Sequence, residues 1–102
     1  MHKIIKTTIT TLFFILANTF LLFSQNTFSE CKQKAEQGDA NAQYNLGWMY
    51  DNGESTLKDS KQAFYWYKKS AEQENANAQQ NLGWMYDNGE GTLKDSKQAF
   101  YW

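Results

Sequence analysis

The chain has 102 residues, with ten lysines, no arginine, eleven acidic residues, one histidine, one cysteine and no proline, for a net charge of −1. That length holds one small domain, and a single cysteine excludes an internal disulfide framework and a Cys₂His₂ or Cys₄ zinc site. The one histidine is His2, so none remains in the body of the chain for a catalytic triad or acid–base work, and the near-neutral charge gives no electrostatic footprint for nucleic acid.

The N-terminus carries His2, Lys3 and Lys6, and then no charge from Thr7 to Ser29. Its densest apolar stretches are Leu12–Ala17 and Phe20–Phe23. A positive start followed by an apolar run is the layout of a secretory signal, here spanning residues 1–24 with a cut after Ser24. The competing reading is an uncleaved inner-membrane anchor through residues 7–29, because the uncharged run is long enough to span a bilayer. Five threonines and Asn18 weaken that option. Phe28-Ser29-Glu30 lacks the small residues that lipidation of Cys31 requires.

Beyond the leader the chain repeats itself with a period of 36. Ala35–Trp66 and Ala71–Trp102 differ at only four of 32 positions: Gly38/Glu74, Asp39/Asn75, Tyr44/Gln80 and Ser55/Gly91. Self-similarity at this period marks a two-helix solenoid unit if each half reads as helix. Residues 25–34 match the tail of a unit, with Phe28 at the place of Phe64 and Cys31 at that of Tyr67, and predict a degenerate leading helix. In 40–52, Ala42, Leu46, Met49 and Tyr50 share one helical face, with Asp39 as cap and Gly53 at the left-handed position after the end. In 59–73, Ala63, Trp66, Tyr67, Ser70 and Ala71 do the same, and Asp59 with Gln62 predicts a capping box. Helices over 76–88 and 95–102 follow by repetition. The units run 35–70 and 71–102, and the order is B, A, B, A, B. The last unit breaks off within a helix, and two units are fewer than the usual three, so the sequence reads as a truncated piece of a longer repeat array.

The pattern Ala42-x₃-Leu46-Gly47-x₂-Tyr50-x₂-Gly53, then Asp59-x₃-Ala63-x₂-Trp66, closely resembles the Sel-one-like repeat (SLR), a relative of the tetratricopeptide repeat. It recurs from Ala78 to Trp102. The resemblance covers Ala35 to the end and implies an all-α fold, a short right-handed α/α superhelical solenoid of antiparallel helix pairs. Ser55 and Glu74 stand where the pattern has glycine. A cysteine-rich branch of the family is disulfide-stapled, which this chain with its lone Cys31 cannot be.

Asn41, Tyr44, Trp48 and Asn52 lie on one side of the first A helix, away from Leu46, and Asn77, Gln80, Trp84 and Asn88 repeat them. In tetratricopeptide relatives these positions line the concave groove. Asn can hydrogen-bond an extended backbone and Trp can anchor it, although Trp48 and Trp84 could equally pack on each other. Asp51, Glu54, Asp87 and Glu90 sit beside glycines without the oxygen-ligand spacing of a calcium loop, and read as solvated helix ends. Lys61, Lys68 and Lys69 read as a solvated face, and Cys31 as a small apolar filler. Together these features imply an exported, periplasmic or secreted, non-enzymatic module. It would use no cofactor or metal, bind a protein or peptide on the A-helix face, and touch a membrane only through an uncleaved leader. An envelope module that binds peptidoglycan and a remnant without function are the alternatives.

Overall fold

The computed structural model describes residues 15–16 and 27–102. The signal and anchor readings therefore fall almost entirely outside the described residues. The helices are α1 over 27–36, α2 Ala40–Asn52, α3 Ser60–Glu72, α4 Ala76–Asn88 and α5 Ser96–Tyr101. All five expected helices are present, and the described residues contain no strand.

Side chains fix the helix starts. Asp39 accepts from the Ala42 amide at 3.0 Å and Asn75 from Ala78 at 3.0 Å. Asp59 accepts from Lys61 and Gln62, and Asp95 from Lys97 and Gln98. Each cap contributes about 1 kcal/mol. Only half of the expected capping box forms at Asp59. Its own amide donates to the Tyr50 carbonyl at 2.9 Å, and Asp95 does the same to Tyr86. The loop is thereby tied to the preceding helix rather than closed by Gln62. The A helices end at Gly53 and Gly89, left-handed at φ 66° and 64°, with their amides donating to Met49 and Met85.

The apolar faces form two clusters. One gathers Ala35, Ala42, Leu46 and Trp66, with Phe28 and Tyr50 packed against them. The other gathers Ala63, Tyr67, Ala71, Ala78, Leu82 and Met85, with Tyr44, Phe64 and Tyr86 at its edge. Burial of a side chain the size of Leu46 or Tyr67 contributes about 1.5–3 kcal/mol. The contact from one unit to the next is the same both times. Phe28 of α1 meets Tyr50 of α2 edge-to-face at 5.7 Å, and Phe64 of α3 meets Tyr86 of α4 at 5.2 Å.

Polar clamps repeat as well. Gln43 of α2 donates to the Ala35 carbonyl at 3.1 Å, and Gln79 of α4 to Ala71 at 3.3 Å. Buried Gln43 also accepts from Gln73 at 2.7 Å, and buried Ser70 donates to the Ala40 carbonyl at 2.7 Å. These bonds satisfy buried polar groups that would otherwise carry a desolvation cost.

Candidate ligand-binding surface

The A-helix stripe divides into parts with different surroundings. Trp48 is 41% exposed and Trp84 55% exposed. Among the described residues no ring contact joins the two. Asn52 donates to the Trp48 carbonyl at 2.9 Å and Asn88 to that of Trp84 at 2.8 Å, so both amides are spent on their own helix. Asn41 accepts from Asn75 at 3.2 Å, which links the two units across the surface. Tyr44 is half-buried, packs on the second cluster and meets the Tyr67 ring at 5.8 Å. Its counterpart Gln80 and also Asn77 are exposed. Cys31, Lys61, Lys68 and Lys69 complete the picture. The lysines are exposed, with the Lys69 ammonium 5.1 Å from the Tyr65 ring centre, and the Cys31 thiol donates to the Ala42 carbonyl at 3.3 Å.

Two cavities border the stripe. One, about 410 Å³, lies between α1 and α2; Trp48 and Asn41 line it together with Cys31, Asn45 and Met49. The other, about 610 Å³, lies between α4 and α5 and is lined by Gln80, Trp84, Phe100 and Trp102. Asn45, Met49 and the α1 side of the first cavity escape the stripe pattern. The signal that finds them is the comparison of Glu30 and Cys31 with Trp66 and Tyr67, because two large aromatics are replaced by smaller side chains.

The acidic loop residues are only partly the solvated helix ends expected. Glu54 and Asp87 are exposed, but Asp51 and Glu90 are half-buried and face each other across the junction between units. Glu90 also accepts from Ser60 at 3.3 Å. Burial, and then the neighbouring Glu90, hold the Asp51 carboxyl above its ordinary range, with Lys58 opposing. An acid with a higher pKa folded than unfolded binds its proton more tightly when folded. Its contribution is therefore greatest below the ordinary value near 3.8 and disappears as pH rises through the elevated one. Asp51→Asn is expected to flatten the fall in urea midpoint over that window and to be the more stable protein at pH 7. An unchanged pH profile would show that the two carboxyls are not coupled. Among the described residues no group of three or more His, Cys, Asp or Glu could hold a metal ion.

Antiparallel helix pairs that recur every 36 residues, joined each time by one Phe–Tyr contact and one Gln–carbonyl clamp, define an α/α solenoid. The Sel1 repeat matches residues 40–75 and 76–102, and the chain belongs to this repeat family. Sel1 repeats are in general protein-interaction modules. A secretory immunoglobulin A-binding protein, EsiB, of Escherichia coli is 50% identical over 38 residues, which are 37% of this chain and 8% of that protein. Three solved structures are similar. A protective antigen with an SLR fold from uropathogenic Escherichia coli has a TM-score of 0.69 at 45% identity, covering 74% of this chain and 16% of its own. A Sel1 repeat protein from Oxalobacter formigenes has a TM-score of 0.75 at 38% identity, covering 76% and 32%. Cysteine-rich protein B of Helicobacter pylori has a TM-score of 0.72 at 28% identity, covering 76% and 58%. The chain thus spans less than two thirds of each of these proteins. No helix of the described residues is long and apolar enough to cross a membrane.

Proposed function

We propose that the chain is a non-enzymatic, exported module that takes a protein or peptide on the concave A-helix face, with Trp48 and Trp84 as anchors. The observation that carries this reading is the exposure of a tryptophan at the same place in both units. A solvent-facing Trp forfeits the burial that its size offers, and Trp is the side chain most often found at the energetic centre of an interface. Asn41 shares a cavity with Trp48 and Gln80 another with Trp84, and these two with exposed Asn77 supply amides for a bound backbone. The repeat family supports a protein as the partner, and the relative named for binding immunoglobulin A shares this repeat. Export rests on the charge and apolar pattern of residues 1–24.

The test is crosslinked capture from envelope and medium extracts of the source cells, with the chain and a Trp48→Ala, Trp84→Ala variant as baits. Both must show helical circular dichroism. Loss of an anchoring Trp costs about 2 kcal/mol or more, so a purified partner should bind the variant about thirtyfold more weakly or worse. Equal capture by both baits overturns the reading. Retention of both by insoluble peptidoglycan would favour the envelope-accessory alternative.

A further inference from the structure

We propose that the segment bound on the A-helix face is basic, with arginine side chains stacked on Trp48 and Trp84; this deepens the groove reading and rests on it. The net charge of −1 conceals an uneven distribution. α2 and α4 carry Asp51 and Asp87 and no other charged residue. α3 carries Lys61, Lys68 and Lys69 against Glu72, and α5 carries Lys97 alone. α1 is balanced, with Lys32 and Lys34 against Glu30 and Glu36. Among the described residues every lysine lies on a B helix or on a loop that leads into one. The A helices and the B helices thus differ in sign, and a cationic segment is drawn to the A side rather than the B side.

Carboxylates stand where the exposed rings are. Asp87 lines one cavity with Trp84, one turn away on the same helix, and no basic side chain lines that cavity. Glu30 and Asp39 line the other with Trp48, against Lys34. Each ring therefore has one carboxylate in excess. Asp39 is held as the cap of α2. Glu30 and Asp87 are exposed, and among the described residues neither has an ion-pair partner. An exposed indole face attracts a cation, and a carboxylate beside it fixes the cation's position. A guanidinium suits both groups, because it is flat enough to stack on the ring, offers paired N–H donors to the carboxylate and is more weakly hydrated than an ammonium. Phe100 extends the apolar wall beside Trp84, where the stem of an arginine can lie. A segment rich in glutamate would meet like charge at both rings.

The test uses the full chain with two blocked octapeptides, (Gly-Arg)₄ and (Gly-Cit)₄, in which neutral citrulline keeps the shape of arginine. Binding is followed by NMR shifts of the Trp48 and Trp84 indole N–H groups, identified from the Trp48→Ala and Trp84→Ala variants. The arginine peptide is expected to bind saturably, to shift both indoles and to bind about tenfold more tightly than the citrulline peptide. Asp87→Asn should weaken it about threefold, whereas Glu72→Gln, which removes the same charge from α3, should leave the affinity unchanged. Lys34→Gln should tighten binding by a similar factor, because Lys34 opposes the cation at Trp48. All three residues are exposed, so these variants keep the fold, which circular dichroism checks. Equal affinity for the two peptides overturns the proposal. So does an equal loss in Asp87→Asn and Glu72→Gln, which would show attraction by net charge alone. The two readings fail apart. Equal binding of both peptides, lost in the Trp48→Ala, Trp84→Ala variant, keeps the groove and removes the basic partner. Undiminished binding of the arginine peptide by that variant removes both.

Discussion

Gly91→Ala is expected to uncouple the second unit from the first and to lower the urea midpoint more than any other glycine substitution in the chain. Gly91 sits at φ 72° in the loop that follows α4, and a Cβ there would overlap the carbonyl of Ser60 and come 3.1 Å from the Phe64 Cβ. The left-handed backbone alone costs a residue with a Cβ about 1–2 kcal/mol. The overlap is with backbone at the start of α3, which cannot swing aside as a flexible side chain would, so the total should reach about 3 kcal/mol or more. A domain of this size has a stability of only about 5 kcal/mol. Gly38→Ala separates the two contributions. Gly38 has φ 98° but nothing within 4 Å of its added Cβ, so that variant should lose the backbone part alone. Equal losses would show that the approach to Ser60 is not what seats the loop. Ser55 holds the corresponding place one unit earlier at φ 62°.

Tyr67→Ala is expected to abolish cooperative unfolding. The ring is fully buried, lies where a Cβ on Gly47 would come within 2.7 Å, and packs on α4 through Ala78, Leu82 and Met85. It therefore joins the helices of one unit and the units to each other. Truncating a buried aromatic to alanine costs about 3–5 kcal/mol, most of what a chain this small has. Far-ultraviolet circular dichroism during heating should show a broad, shallow loss of helix rather than a sigmoid. Tyr67→Phe keeps the ring and removes only a hydroxyl that has no well-formed bond, and should cost less than about 1 kcal/mol. A sharp transition in Tyr67→Ala would mean that the units fold independently of this contact.

The helices were legible because their signals are local. Asp39, Asp59, Gly53 and the 3.6-residue spacing of Leu46, Met49 and Tyr50 act within a turn or two, and the 36-residue period repeats them almost unchanged. The candidate stripe was legible in part. Trp48 and Trp84 are exposed, one of two outcomes that their spacing left open, and Tyr44 reads as a surface residue in α2 alone but becomes half-buried once α3 brings Tyr67 beside it. No helical periodicity could show that contact, because it depends on the angle between two helices. The same holds for the loop acids: four look alike in sequence, and packing of the next unit selects Asp51 and Glu90.

By itself the sequence determined the all-helical class, the helix boundaries to within a residue or two, the unit length, the buried face of α3 and part of that of α2. It did so because backbone hydrogen bonding, capping and amphipathic spacing are properties of short segments. Only the tertiary structure decided which equivalent positions cease to be equivalent. Asp51 meets Glu90, and Gly91 meets Ser60. Those differences arise between helices, where close packing responds to the volume and charge of residues 30 or more positions apart.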